Sequence, residues 1–289
     1  MASPDRDRNL YLHLSLGDRR YPDVGKPLLP APVVRNLFEV LANERNNGLR
    51  TVPVFRNERQ YGYLTPFDEV PFFDVIDMAS QHTLLVLQGG ARMHAQEEEH
   101  RVAQGDIMVV PKKQQVTFFD AQKDFLLLGL SLPQHIPPEN AQYLQRMPYG
   151  NMFMTNLDEL LEKEKPISFM STTKGSPGVN EIEVFFPEKE KEGYVLDGSQ
   201  AARLLIYDNP TILERHTRHT HPLAQHAIYT LEGQGYVEFE GKTFDLTPCG
   251  LFVVPPNTRH QLGSYGKFRA FVLNTPGIPP AHPLYSITA

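Results

Sequence analysis

The most constraining feature of this 289-residue sequence is an internal repeat with a fixed offset of 144 residues. Residues 81–89, QHTLLVLQG, align with residues 225–233, QHAIYTLEG. Further along, residues 107–111, IMVVP, align with residues 251–255, LFVVP, and 225 − 81 and 251 − 107 both equal 144. Because both blocks keep one offset without a gap, the chain is predicted to contain two copies of one structural unit.

Each copy has the pattern of antiparallel β-structure. Short runs rich in Val, Phe and Leu alternate with polar turns from residue 52 to about residue 132, and strand signals resume over residues 202–273. The 25 prolines and 20 glycines supply the many turns that such a chain needs. We therefore expect an all-β protein with two barrels of the jelly-roll type and a few short helices.

Four segments follow from these changes in pattern. They are an N-terminal arm and helix over residues 1–50, a first barrel over 51–135, a connecting segment over 136–195 and a second barrel over 196–289. Apolar residues at helical spacing predict a helix over residues 33–42, and residues 157–162 predict a second short helix in the connecting segment.

Composition excludes some classes of partner. The net charge of −6 and the pI of about 6.0 argue against nucleic-acid binding, since no basic stripe offsets them. No apolar run approaches the ~20 residues of a membrane span, the first residues show no signal-peptide pattern, and the single cysteine, Cys249, fits a reducing compartment. We expect a cytoplasmic protein, and the long arm could cover a neighbouring subunit of a homo-oligomer or the edge of its own barrel.

Histidines concentrate in the second copy. Five of the 11 fall between residues 211 and 260, namely His216, His219, His221, His226 and His260. Residues two apart in a strand point to the same face, so His219 and His221 are predicted to lie side by side. His260 follows a predicted strand and turn and could add a third imidazole. Such a set would bind one divalent metal ion and leave positions open for water, substrate or O₂.

These residues resemble the two sequence motifs of the cupin superfamily. The first motif is His-x-His, four residues, usually Glu, six residues and Gly, and residues 219–233 match every spacing with His226 in place of Glu. The second motif, Pro-x-Gly-x-x-His, is matched by residues 255–260 with Asn257 in place of Gly. Asn tolerates a positive φ better than most residues. The resemblance implies two cupin barrels, a form of double-stranded β-helix, with the metal site in the C-terminal one.

The first copy lacks this histidine set. At the 144-residue offset, the three principal histidines correspond to Val75, Asp77 and Val116, so the N-terminal barrel is predicted to be degenerate. It does keep His82 where the second copy has His226. His226 is therefore either a fourth metal ligand or a structural histidine, and Gln225 is the alternative ligand through its carbonyl oxygen.

The metal and the reaction stay open at this point. Neutral imidazoles suit Fe(II), which we favour, and also Zn, Mn, Ni and Cu. A site without carboxylate leaves the charge of a dication uncompensated, which favours a small anionic chelating substrate such as a catecholate, an enolate or an α-hydroxy acid. The site is similar to those of ring-cleaving bicupins such as gentisate dioxygenases, and to quercetinase-like cupins, and this resemblance implies a non-haem Fe(II) dioxygenase.

Two other classes compete with an oxygenase. One is a lyase, isomerase, cyclase or aminohydrolase that uses Zn, Mn or Ni as a Lewis acid. The other is a non-catalytic cupin that binds a small molecule, since one fold hosts many roles. Arg218, Tyr207 and Arg259 are the candidates for orienting a substrate. Tyr229 is a weaker candidate because it lies an odd number of residues from His226 and is predicted to point away from it.

Overall fold

The computed structural model describes residues 33–44, 52–56, 60–66, 72–76, 81–111, 114–131, 152–164, 167–169, 179–185, 200–207, 218–221 and 224–275. The first half contains β1 (Val33–Asn36), α1 (Leu37–Glu44), β2 (Val52–Arg56), β3 (Tyr61–Pro66), β4 (Phe72–Ile76), β5 (His82–Gln88), β6 (Gly90–Ala95), β7 (Glu98–Ala103), β8 (Asp106–Val110), β9 (Gln115–Phe119) and β10 (Leu126–Ser131). The second half contains β11 (Phe153–Asn156), α2 (Leu157–Lys163), β12 (Ile167–Phe169), β13 (Val179–Phe185), β14 (Ala201–Tyr207), β15 (Gln225–Phe239), β16 (Lys242–Leu246), β17 (Gly250–Val254) and β18 (His260–Thr275). Neither described helix is long and apolar enough to cross a membrane.

The first barrel is built from two antiparallel sheets. A six-stranded sheet has the order β11-β8-β5-β10-β3-β2, and a four-stranded sheet has the order β4-β9-β6-β7. Side chains from both sheets meet in one apolar core, among them Leu84, Val86, Met93 and Phe118. The alternation of inward and outward residues along each strand produces this closed interior, and the expected all-β architecture is confirmed.

The second barrel is built around two long strands. β15 pairs with β16, β17 and β18, and β18 pairs in turn with β14, so eight strands form one curved sheet that includes β1, β12 and β13. The register between β15 and β18 shifts on either side of Gly233. Gly233 has φ +76°, and a Cβ there would meet the carbonyl oxygen of Lys267 at 1.8 Å. Only glycine permits this close approach, at the point where the long strand bends.

The two barrels pack against each other through a third apolar core. On β14, Ala202, Leu204 and Ile206 belong to this shared core, whereas Leu205 and Tyr207 belong to the interior of the second barrel. The first barrel contributes alternate residues of β5, β8 and β10, and the two helices add leucines such as Leu37 and Leu157. Both faces of these strands are therefore buried, which explains their nearly continuous apolar sequences.

The arm and the connecting segment each extend a barrel sheet. β1 pairs with β17 and β11 pairs with β8, and the matching pairs are Asn36 with Gly250 and Asn156 with Asp106. Since 250 − 106 equals 144, the two strands dock at equivalent places of the two copies. The arm thus completes the second barrel, although it precedes the first in the chain. The connecting segment is also shared, because β12 and β13 join the sheet of the second barrel.

Each docked strand leads directly into a capped helix. The Oδ1 atom of Asn36 accepts hydrogen bonds from the backbone N–H of Phe38 and Glu39, at 3.0 and 3.2 Å. The Oδ1 atom of Asn156 accepts one from the N–H of Asp158 at 2.9 Å. These side chains satisfy N–H groups that have no partner inside the helix. The helix predicted over residues 157–162 is confirmed. The helix predicted over residues 33–42 begins only at Leu37, because residues 33–36 pair with β17 as a strand, and asparagine precedes each helix.

Buried glutamines connect the barrels across the shared core. Gln225 of the second barrel donates through Nε2 to Oε1 of Gln60 in the first, at 3.0 Å. In the opposite sense, Oε1 of Gln200 in the second barrel accepts hydrogen bonds from Thr83 Oγ1 at 2.5 Å and Gln81 Nε2 at 3.4 Å. The Nε2 atom of Gln200 donates to the carbonyl oxygen of residue 130 at 3.1 Å. All of these groups are buried, so their mutual orientation is tightly specified.

We predict that Gln200→Ala lowers the free energy of unfolding by about 3 kcal/mol, because it leaves buried donors and an acceptor of the first barrel without their partner. The measurement is a urea titration in which intrinsic fluorescence reports the fraction of folded protein. The control is Gln234→Ala, the same substitution at an exposed residue of β15, which should change stability by less than about 0.5 kcal/mol. Equal effects of the two substitutions would contradict the prediction.

Candidate metal centre

Four buried histidines lie together inside the second barrel. His219 forms an isolated antiparallel bridge with His260, in which each backbone N–H donates to the other carbonyl oxygen at 2.9 Å. The carbonyl oxygen of His221 accepts from the N–H of Asn257 at 2.8 Å. His226 is the second residue of β15. Backbone hydrogen bonds thus hold the segment 218–221 against the turn before β18.

The spacing of three imidazoles suits one metal ion. One potential ligand atom from each of His219, His221 and His260 lies within 4.8 Å of the other two. A metal–nitrogen bond measures about 2.1 Å, so two ligands of one ion lie at most about 4.2 Å apart, and small ring rotations cover the difference. The ring centroids of His219 and His221 are 4.6 Å apart, and those of His219 and His260 are 4.4 Å apart. The three residues fit a facial ligand set.

A backbone contact orients the ring of His260. Its Nδ1 lies 2.9 Å from the carbonyl oxygen of Thr258. A carbonyl oxygen can only accept, so Nδ1 carries the proton and the lone pair is on Nε2. Fixing the tautomer in this way is what the neighbours of metal-bound histidines do. The site is therefore prepared to present one nitrogen of His260 to a ligand.

His226 lies next to this group but outside the set of three. Its ring centroid is 4.0 Å from that of His221 and 5.3 Å from that of His260. Burial, together with the nearby imidazoles and Arg203, holds the pKa of His226 well below its usual range. Within the described part of the chain, its buried Nε2 has no hydrogen-bond partner. His226 is thus a neutral imidazole whose nitrogen is available to a ligand in the barrel.

The equivalent place in the first barrel is filled with hydrocarbon. Val75 pairs with Val116 between β4 and β9, as His219 pairs with His260, and both valines are fully buried. The pairing confirms that the 144-residue offset maps these positions correctly, while Asp77 lies outside the described residues. His82, at the position equivalent to His226, forms a hydrogen bond instead: its Nδ1 lies 3.0 Å from the hydroxyl of Tyr63.

The other predicted site residues are not gathered around the histidines. Gln225 faces the first barrel, where it contacts Gln60. Arg218 is exposed and forms an ion pair with Glu238, and Arg259 is exposed. Tyr229 belongs to the core between the barrels, as its odd spacing from His226 predicts.

Tyr207 lies inside the second barrel but far from the histidines. It is fully buried, and its ring packs edge-on against Phe268. On β18, Asn274 lies opposite His226 on one side and opposite Ala201 on the other. Tyr207 is six residues beyond Ala201, about 20 Å along the strand. The structure therefore places Tyr207 at the opposite end of the barrel from the histidine group.

The turn before His260 has the backbone conformation expected from the sequence. Asn257 has φ +54°, which confirms that it occupies a position suited to glycine. Cys249 also has a positive φ, +64°, where the first copy has Gly105 at +89°. A non-glycine residue in this region stores about 1 kcal/mol of strain. The turn keeps its shape because the surrounding strands fix it.

Arg203 is a residue of the barrel interior that the motifs did not reveal. It is 5% exposed and lies on β14, and its charge contributes to the lowered pKa of His226. The 144-residue offset could not identify its counterpart, because the two copies differ in length between these positions. Strand pairing, described below, supplies the alignment that the sequence lacked.

Comparisons with known proteins agree with this geometry. Residues 203–277, which contain all four histidines, match the family model described as an AraC-like ligand binding domain. No curated protein matches the sequence. Among solved structures, a cupin 2 conserved barrel domain protein from Leptotrichia buccalis is 12% identical with a TM-score of 0.54, and the match covers 86% of this chain and 98% of that one.

Two enzymes are also similar in structure. Salicylate 1,2-dioxygenase from Pseudaminobacter salicylatoxidans is 13% identical, with a TM-score of 0.56 and coverage of 85% of this chain and 84% of that one. A variant of Bacillus subtilis oxalate decarboxylase is 14% identical, with a TM-score of 0.50 and coverage of 77% and 70%. At these identities the likeness establishes architecture alone, and it agrees with the two barrels and the histidine motif: the chain has the two-barrel fold of the cupin proteins.

Proposed function

We propose that this protein is a metal-dependent enzyme that binds one divalent ion through His219, His221 and His260, with His226 as a fourth nitrogen ligand. The observation that carries the proposal is the convergence of four buried imidazoles in one barrel while valines fill the equivalent place in the other. The valines at the equivalent positions indicate that the barrel does not need imidazoles there for packing, which favours a role in binding.

Each part of the site has a separate role. The hydrogen bond to Thr258 keeps the Nε2 lone pair of His260 directed for ligation. The low pKa of His226 keeps that ring neutral near pH 7, so a proton does not compete with a metal cation for its nitrogen. The apolar barrel interior excludes water from a reactive substrate. When bound, the ion would supply Lewis acidity and, as Fe(II), the capacity to activate O₂.

We favour an Fe(II) dioxygenase that acts on a small anionic chelating substrate. Among the described residues, the group of potential ligands contains no carboxylate. The charge of a bound dication would therefore be balanced best by an anionic substrate, which ties substrate binding to the metal. The similarity in fold to salicylate 1,2-dioxygenase supports this choice.

Two other candidates are each favoured by a specific observation. The match of residues 203–277 to an AraC-like ligand binding domain suits a barrel that binds a small molecule without reaction. A non-redox enzyme with Zn, Mn or Ni as Lewis acid fits the same imidazole donors, and oxalate decarboxylase shares the fold. Identifying the native metal and its reactivity separates these functions from an oxygenase.

We predict that His221→Ala abolishes stoichiometric metal uptake, because it removes one of the three imidazoles whose nitrogen atoms all lie within 4.8 Å of one another, and His226 lies outside that set. The measurement is elemental analysis of protein purified without added chelator, with circular dichroism to verify folding. The matched control is His94→Ala, which removes an exposed imidazole from the first barrel and should leave one equivalent bound. A folded His221→Ala variant with one equivalent of metal would refute the ligand assignment.

The Fe(II)-loaded protein is predicted to bind NO under anaerobic conditions, since a ligand set of imidazoles leaves a coordination position for a diatomic molecule. The measurement is electron paramagnetic resonance of the iron–NO adduct, with metal-free protein as the blank. Native zinc or manganese together with no NO adduct would exclude the dioxygenase and leave the Lewis-acid enzyme.

The role of His226 has its own test. We expect His226→Gln to weaken metal binding by about tenfold or more, as loss of one imidazole ligand should, while the other three still bind the ion. His82→Gln is the control at the equivalent position of the first barrel and should leave metal affinity unchanged. Isothermal titration with Zn²⁺ measures both. Wild-type affinity in His226→Gln would assign His226 a structural role instead.

A further inference from the structure

A buried arginine faces the inside of the barrel that holds the histidines. Ala202 and Leu204, its neighbours on β14, belong to the core between the barrels, whereas Leu205, two residues along, belongs to the interior of the second barrel. Side chains alternate along a strand, so Arg203 lies on the interior face. It is only 5% exposed. A guanidinium in this position has little access to bulk water.

Strand pairing brings Arg203 into the neighbourhood of His226. On β18, Val272 lies opposite Arg203, and Asn274, two residues further along, lies opposite His226. Arg203 and His226 therefore flank β18 on the same face of the sheet, with their Cα atoms about 12 Å apart. The extended arginine and the histidine ring together span such a distance. The effect of Arg203 on the pKa of His226 agrees with this proximity.

The first barrel has a tyrosine at the equivalent place. On β10, Gly129 lies opposite Tyr63, and Ser131, two residues along, lies opposite His82. This arrangement is the same as that of Val272 with Arg203 and Asn274 with His226 in the second barrel. The hydroxyl of Tyr63 bonds to Nδ1 of His82 at 3.0 Å, which closes a neutral pair. The barrel with the histidine group has a cation there instead.

Glu183 completes the row across the sheet. It lies opposite Arg203 between β13 and β14 and is partly exposed, and its neighbours Ile182 and Val184 face the core between the barrels. Opposite charges facing each other across strands attract. A guanidinium has five N–H donors, whereas one carboxylate engages two of them in a bidentate contact. A carboxylate at this position therefore accounts for at most two of the five donors of Arg203.

We propose that Arg203 binds the carboxylate of a small substrate whose chelating oxygens reach the histidine group. The planar guanidinium matches a carboxylate in a bidentate contact, and burial strengthens that contact. This assignment rests on the proposed function, and it narrows the substrate from a small anion to a chelating carboxylate. Arg203 thus sets specificity, and the histidines hold the reacting end.

The test uses ligands that share one chelating group and differ in charge. Zn²⁺-loaded protein is titrated calorimetrically with catechol and with 2,3- and 3,4-dihydroxybenzoate, which add a carboxylate to the same pair of hydroxyls. We expect at least one dihydroxybenzoate to bind about tenfold more tightly than catechol, as a charged hydrogen-bonded pair provides. In Arg203→Met this advantage should disappear, while catechol affinity and metal content stay unchanged.

Two further variants make the result specific. Arg203→Lys keeps the charge without the planar fork and should retain part of the advantage, and it serves as the test if Arg203→Met does not fold. Arg101→Met, an exposed position in the first barrel, should behave as wild type. The proposal is overturned if neither dihydroxybenzoate exceeds catechol in the wild type, or if the advantage persists in folded Arg203 variants.

Failure of the proposed function would look different. It would appear as absence of metal from the wild-type protein, whatever Arg203 does. In that case the same titrations on metal-free protein decide the role of Arg203, because a carboxylate preference that depends on Arg203 needs no metal to be measured. If Arg203→Met keeps its full metal content but no longer prefers dihydroxybenzoate to catechol, the proposal is supported. If the variant keeps the preference of the wild type, the proposal is refuted.

Discussion

The apolar core between the two barrels is the interaction on which the rest of the structure depends. Strands such as β14 and β15 bury both faces, one inside their own barrel and one against the other barrel. The two buried glutamine contacts cross this core in opposite directions. Apolar contact supplies most of the stability and is not directional, whereas the glutamines admit one relative orientation. Together they hold the second barrel in a fixed shape.

This division lets one barrel specialise. The first barrel fills its centre with apolar side chains, including the valine pair that replaces two histidines, so its interior contributes stability directly. The second barrel places four imidazoles and a guanidinium where valines and a tyrosine would pack better. The strand β1 and the first barrel both pack against the second barrel and bury additional apolar surface there. Under the proposed function, the first barrel therefore supports the second barrel, in which the metal would bind.

The sequence predicted the repeat, the all-β architecture and the grouping of His219, His221 and His260, because all of them follow from motifs with fixed spacing. It did not predict that β1 joins the second barrel, since pairing between residues about 215 apart leaves no local pattern. The sequence did not identify Arg203 as a site residue for a different reason. Tyr63 precedes His82 by 19 residues, whereas Arg203 precedes His226 by 23, so a constant offset does not align them. Only hydrogen-bonded register shows that they are equivalent.

The charge balance of the second barrel then limits what can bind there. A neutral imidazole group that takes up a dication becomes strongly positive, and Arg203 adds a further charge on the same side of the sheet. Glu183, on the neighbouring strand β13, offsets only part of this charge. A neutral ligand would leave the excess uncompensated in an apolar interior, which is costly. A carboxylate that also chelates would satisfy the arginine and the ion together, so under the proposed function the barrel selects its ligand by charge.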